Sequence, residues 1–320
     1  MVASGPGADF RADERKRMRV LILGCGYVGM AAGRQLLGLG HSVVGVRRTA
    51  EGVEAIRATG VEAAVGDLTR RVDLDQLDGP FDAVINTVSS SRGGAAEYRE
   101  VYLDGTRTVL DWLRDHPVRR YVYTSSTSVY AQVDGSWVDE ASPATASGET
   151  GRLLRDTEDL LLAAAHERAF PAVILRVAGI YGPDRGFLFQ QFLKGEARIS
   201  GDGRRFINMI HRDDVAAALV TVLERGESGA IYNCVDDAPV TQGEFLGWVA
   251  DHLGRPMPPS VPEPDPATRK RGLSHKRVSN ARLRGLGWVP RFPSWREGYA
   301  PWVAEVLAAE QNRQAGATEA

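Results

Sequence analysis

The sequence predicts an α/β fold built on a parallel sheet, and three observations carry that reading. Short β-branched runs alternate with longer helical patterns through the first half of the chain, as in βαβ units whose sheet is covered on both faces. A glycine pattern, Gly24-Cys25-Gly26-Tyr27-Val28-Gly29, falls where the first such run gives way to the first helical pattern. From Pro183 onward glycine, arginine and proline become more frequent and the alternation fails, so a smaller second lobe is expected there. Together these describe a Rossmann-type, doubly wound parallel sheet with a smaller C-terminal substrate lobe.

Strands are expected at 20–23, 42–46, 62–65, 83–86, 121–125 and 172–176, with a seventh at 230–235 returning to the same sheet. The helix between the first two carries small residues nearest the glycine turn, as close packing on a sheet requires, and ends at Gly38 and Gly40. The expected organisation is a disordered extension over 1–17, a dinucleotide-binding domain over 18–182 that also receives 207–236, a substrate lobe from 183–206 and 237–310, and a disordered tail over 311–320. The proline-rich stretch 256–266 reads as a loop.

Composition narrows the function. The 320 residues are 43 % hydrophobic and 25 % charged, and a formal net charge of -2 leaves no basic footprint for nucleic acid or an anionic membrane. No apolar run approaches the roughly 20 residues of a membrane-spanning helix. Residues 1–17 are polar and charged, unlike a secretory leader. Cys25 and Cys234 have neither metal-site nor disulfide-framework spacing, so a reducing compartment, the cytoplasm, is expected and no metal is assigned.

The three glycines have separate tasks. Gly24 permits the tight turn, Gly26 lets the backbone approach a pyrophosphate, and Gly29 brings helix against strand. The helix N-terminus, with Tyr27 and Val28 in its first turn, offers free N–H groups and a partial positive charge. At the end of the second strand, where an NAD-preferring site places a carboxylate on the ribose, this chain has Arg47 and Arg48. Arginine there suits a 2′-phosphate, so the expected cofactor is NADP, with NAD as the alternative; two solvated arginines at a strand end are the competing explanation. Asp67, followed by Leu68, is placed to meet the adenine amino group, and Thr87, Val88 and Ser89 to pass beneath the pyrophosphate and ribose.

These features, with the runs 123–130, 175–183 and 210–216, resemble the extended short-chain dehydrogenase/reductase superfamily, and in particular its NAD-dependent epimerase/dehydratase branch. The resemblance runs from about Met18 to Trp302, and the G-x-G-x-x-G spacing is that of an atypical subgroup. It implies a hydroxyl, a tyrosine, a lysine four residues later and an asparagine as the catalytic set, with tyrosine as acid/base and lysine lowering its pKa. Ser126 matches the serine, with Ser125 as its cofactor-side neighbour. Thr150 stands at the tyrosine position, Leu154 at the lysine position and Tyr102 at the asparagine position. A threonine hydroxyl titrates far above neutral pH and leucine carries no charge, so the ordinary proton relay is missing. Tyr102, Tyr130 and Tyr181 are candidate substitutes, each of which also reads as a packed aromatic.

Lys194, Arg185, Arg204 and Arg205 fall where relatives build the substrate cleft, either to bind a diphosphate or as a solvated basic face. His211 reads as ordering a loop, with Asp213 or Asp214 capping the helix that follows. Two functions stand. One is an NADP-dependent oxidoreductase or epimerase/dehydratase-like enzyme acting on a nucleotide sugar or related carbonyl. The other is a catalytically silent NADP-binding sensor. A homodimer through helices near 98–113 and 155–166 would suit the resemblance.

Overall fold

The computed structural model describes residues 17–90, 93–263 and 275–318, and the side chains as far as residue 313. Seven strands form one sheet: β1 (Arg19–Leu23), β2 (Ser42–Arg47), β3 (Glu62–Val65), β4 (Ala83–Asn86), β5 (Arg120–Ser126), β6 (Ala172–Val177) and β7 (Ile231–Cys234). Their order across the sheet is β7-β6-β5-β4-β1-β2-β3, and every pairing is parallel. All seven expected strands are present, with no end shifted by more than one residue.

Position in the sheet explains strand composition. In β4 and β6 every residue is buried, because helices cover both faces, and both strands are almost wholly apolar. The edge strand β3 has no buried residue. Strand order reverses between β1 and β4, so a crevice opens beyond their carboxyl ends, where ligands of such sheets bind.

Helices α1 (Tyr27–Gly38), α2 (Ala50–Arg57), α3 (Gly105–Asp115), α4 (Glu149–Arg168) and α5 (Arg212–Arg225) flank the sheet. Small residues on α1 allow its close approach: a Cβ on Gly33 would sit 3.0 Å from Val61, and one on Gly29 3.1 Å from Ile22. A second core, rich in aromatics, joins Tyr181, Phe189 and Met209 to α6 (Gln242–Leu253) and α7 (Trp295–Thr318). Tyr181 stacks on Tyr299 at 4.3 Å, in space left by Gly298. Among the described residues no helix is long and apolar enough to cross a membrane.

Several expectations are corrected. The tail expected over 311–320 continues α7 as far as Thr318, because the preceding run of Ala308, Ala309, Glu310 and Gln311 favours helix. The extension over 1–17 lies outside the described residues except Arg17, which donates to Ser42. In the proline-rich stretch, Ser260–Val261 pairs in parallel with Ile199–Ser200, and residues from 264 lie outside the described part. The helix near 98–113 is interrupted by a π-helical turn over Arg99–Asp104. His211 itself caps α5, its Nδ1 accepting from Asp213 N at 3.2 Å. Asp214 instead accepts from the backbone N–H groups of Arg291 and Phe292. Burial pushes His211 down to about 4, so its ring is neutral and able to accept.

One polar network crosses the core. Arg176 on β6 donates through Nη2 to Glu158 Oε2 at 2.6 Å and through Nε to Oε1 at 3.0 Å. Its third nitrogen, Nη1, donates to the Tyr130 hydroxyl at 2.8 Å, which in turn donates to Asn233 on β7. Ser125 on β5 donates to Glu158 at 2.6 Å. Glu158 also accepts from Arg155 Nη1 at 3.0 Å, so removing Arg176 leaves that carboxylate with one cation. Arg176→Met is therefore expected to lower unfolding free energy by about 2–3 kcal/mol, less than a fully stranded buried charge costs, and Arg176→Met with Glu158→Gln to recover part of that loss. Denaturant melts of the two variants measure both.

Candidate cofactor and substrate cleft

A cleft of about 1410 Å³ opens over the carboxyl ends of the strands. Gly24, Gly26, Tyr27, Val28, Arg47, Arg48, Asp67, Leu68, Thr87, Val88, Ser89, Ser125 and Ser126 all line it, although the sequence scatters them over a hundred residues. Of the expected residues Gly29 alone does not line the wall. It packs beneath the turn, where a Cβ would meet Thr87 Oγ1 at 3.0 Å.

The turn holds its shape through the backbone. Gly24 has φ +73°, and a Cβ there would lie 2.5 Å from Val88 Cα, so the loops after β1 and β4 touch. Thr87 braces this contact, its N–H donating to Leu23 O and its hydroxyl to Gly24 O. Helix α1 starts at Gly26 with no side-chain cap and no acidic residue in its first turn. Its first N–H groups therefore face the cleft without a side-chain acceptor, as an anion site requires.

Arg47 lies along the start of α2 and reaches back to the turn. A Cβ on Gly52 would come within 3.2 Å of its Nε, and one on Gly26 within 2.9 Å of its Nη1. Arg48 is exposed beside it, and Thr49 caps α2 through Gly52 N. Among the described residues neither arginine forms an ion pair within 4.0 Å. Asp67 is oriented by Thr69, which donates both its N–H and its hydroxyl to Oδ1.

The other end of the cleft is floored by β5. Ser126 Oγ accepts from Ser128 N at 3.1 Å, capping the short turn Thr127–Val129 and leaving its own proton directed elsewhere. Ser125 reaches the cleft wall, but its hydroxyl is committed to Glu158. Leu154 lines the cleft; Thr150 is buried at the start of α4 and does not. Of the three candidate phenols, Tyr102 and Tyr181 line the cleft and Tyr130 does not; all three are buried. Burial raises the pKa of Tyr130 despite Arg176, and that of Tyr181 further, while the Tyr102 hydroxyl accepts from Ser90 N.

Arg185 and Arg205 line the cleft, whereas Lys194 and Arg204 are exposed outside it. The basic cluster is thus half site and half solvated face. Tyr27 joins the two ends: its hydroxyl donates to Pro183 O at 2.9 Å, and its ring lies between the guanidiniums of Arg185 and Arg212 at 5.1 and 5.0 Å. Lys276 also lines the cleft, buried to 2 % exposure, and sequence reasoning passed over it. In Ser274-His275-Lys276-Arg277 it reads as one more solvated charge, and no spacing marks it. Among the described residues no group of three or more His, Cys, Asp or Glu could hold a metal ion.

The model of the NAD dependent epimerase/dehydratase family matches residues 20–234, from the first strand of the sheet to the last. The chain belongs to that family. This epimerase/dehydratase chain is 32 % identical over 245 residues to protein YeeZ of Escherichia coli K12, covering 75 % of this chain and 85 % of YeeZ. It is 25 % identical over 310 residues to a UDP-glucose 4-epimerase of Corynebacterium glutamicum, covering 87 % and 93 % of the two chains. Its fold superposes on DesIV, a dTDP-glucose 4,6-dehydratase of Streptomyces venezuelae solved with NAD and TYD bound. The TM-score is 0.78 at 24 % identity, over 90 % of this chain and 96 % of that one.

Gly24→Ala tests the turn. The positive φ and the contact with Val88 both oppose a Cβ, so a loss of about 1–3 kcal/mol in unfolding free energy is expected. Titration of the variant with NADPH, followed by fluorescence, should show binding weakened at least tenfold.

Proposed function

We propose that this chain is a cytoplasmic NADP-dependent oxidoreductase of the epimerase/dehydratase type, acting on a nucleotide sugar or a related carbonyl compound. One observation carries the reading: Arg47, Arg48, Arg185, Arg205 and Lys276 line a single cleft whose only carboxylate among the described residues is Asp67, in a chain of net charge -2. Such a cleft suits two anionic ligands laid end to end.

At the β2 end, the uncapped start of α1 would hold the pyrophosphate, Arg47 and Arg48 a 2′-phosphate, and Asp67 the adenine amino group. A bound nicotinamide supplies hydride exchange with a substrate carbon. At the β5 end, Ser126 would orient the substrate through a hydrogen bond from its hydroxyl to a substrate oxygen, and Arg185 and Arg205 would take a diphosphate. Of the relatives named above, the UDP-glucose 4-epimerase supports a nucleotide sugar; the name of YeeZ states no substrate. DesIV holds NAD, so the preference for NADP rests on Arg47 and Arg48 alone.

Arg47→Glu should weaken NADPH binding by about 10- to 100-fold, the value of a charge-assisted phosphate contact, and leave NADH binding nearly unchanged. Equal wild-type titration curves for the two cofactors would overturn the NADP assignment.

The burial of Thr150 and the presence of Leu154 favour a second reading, an NADP-binding sensor without turnover. A panel of nucleotide sugars, assayed by NADPH fluorescence, separates the two. Turnover that falls about 100-fold or more in Ser126→Ala supports the enzyme. Cofactor binding without turnover of any sugar in the panel supports the sensor.

A further inference from the structure

Lys276 is a buried cation with little to compensate it. Its ammonium donates to one acceptor, the backbone carbonyl of Tyr130 at 3.0 Å, and among the described residues it forms no ion pair. Burial alone pushes its pKa down, to about 8, with no neighbouring charge contributing. An ammonium has three N–H donors, so two are left for a ligand atom in the cleft; burying them unmet costs free energy.

Its position is set by rigid neighbours. Asn208 donates to Lys276 O at 3.0 Å and accepts from Val278 N at 2.9 Å, and Arg277–Val278 pairs in parallel with Trp137–Val138. Tyr130 directly follows the short turn that begins at Ser126, so the amine is anchored one turn from that serine. In a doubly wound sheet the dinucleotide spans the switch point, with adenosine over the β2 side and the reacting ring toward β5. Lys276 therefore stands at the reacting end of the cleft, which Leu154 also lines.

The charged and titratable groups around it are otherwise engaged. His275 accepts from Phe206 N, Arg277 donates to Gly135 O, and the Tyr130 phenol is held by Arg176 and Asn233. Glu140 accepts from Asn233 N, and Arg205 lines the cleft as a second cation.

We propose that Lys276 is the reaction acid of this protein: its ammonium meets the oxygen of a substrate carbonyl and protonates it as the carbonyl carbon is reduced. The assignment rests on the oxidoreductase reading above. An N–H bond of Lys276 breaks and leaves its electron pair on nitrogen. The new O–H bond forms on the pair released from the carbonyl π bond, while the carbon takes the hydride that a reduced nicotinamide supplies. Water then returns the proton to the amine. In the oxidative direction the neutral amine takes the alcohol proton. One lysine thus does the work divided in relatives between a tyrosine and a lysine, from the residue before a short strand in place of a helix.

The test uses the full chain, Lys276→Met and Lys276→Arg, with three measurements. NADPH titration should give affinities within about twofold of wild type, showing that both variants fold and keep the cofactor end. Lysine Nζ NMR, assigned by loss of a signal in the variants, should show one amine titrating near pH 8. NADPH-dependent reduction of a 4-keto nucleotide sugar and of phenanthrenequinone should fall above about pH 8 in wild type, since the ammonium is the donor. It should drop about 100-fold or more in Lys276→Met, without rescue by Lys276→Arg.

A wild-type rate and pH profile in Lys276→Met would overturn the assignment and leave the oxidoreductase reading intact. So would an amine titrating in the ordinary solvated range, a result that needs no variant to be active. A wild type that binds NADPH and reduces neither probe would overturn the oxidoreductase reading, and the assignment with it.

Discussion

Arg176 lies in the sheet with 1 % exposure, and a guanidinium there is tolerable only because Glu158 meets it with both oxygens. The pair draws α4, β5, β6 and β7 to one point, since Ser125, Tyr130 and Asn233 complete the same network. Its reach extends to the cleft. Ser125 precedes Ser126 on β5, and Tyr130 offers to Lys276 the carbonyl of the residue whose phenol Arg176 holds. A purely apolar substitute could fill this volume, but hydrogen bonds fix direction as well as distance. The floor of the cleft inherits that direction.

The cleft departs from the rest of the molecule in charge. Across the whole chain acids exceed bases slightly, yet among the described residues the cleft wall gathers five cations against one carboxylate. Low-dielectric walls concentrate such a field and draw anions from solution before any specific contact forms. The cations are divided by strand order, with Arg47 and Arg48 at the end of β2 and the others on the far side of the switch point. On the function proposed above, that division would let two anionic ligands be held at once.

Much of this was legible in the sequence, because periodicity and turn chemistry are local. The seven strands follow from β-branched runs, and Gly24, Gly26, Arg47, Asp67 and Thr87 follow from their places at strand ends, which a parallel sheet brings to one edge. What was illegible depends on neighbours distant in sequence. Lys276 becomes a cleft residue only through Asn208 and the pairing with Trp137–Val138. His211 can cap α5 because burial keeps its ring neutral, and no sequence pattern records that burial. The replacement of the family's tyrosine and lysine by Thr150 and Leu154 was readable; the buried amine lining the cleft was not.

The bond from Tyr27 to Pro183 spans 156 residues and fastens the pyrophosphate turn to the segment carrying Arg185. The free energy that orders one end of this strap is shared with the other. By thermodynamic reciprocity, whatever cofactor occupancy contributes to substrate affinity through the strap, substrate occupancy returns to the cofactor. Gly182, whose missing Cβ leaves room for the Tyr27 hydroxyl, keeps the strap short. On the function proposed above, a single phenol would make cofactor and substrate partners in one equilibrium, and retention of the dinucleotide would become a property of the loaded cleft as a whole.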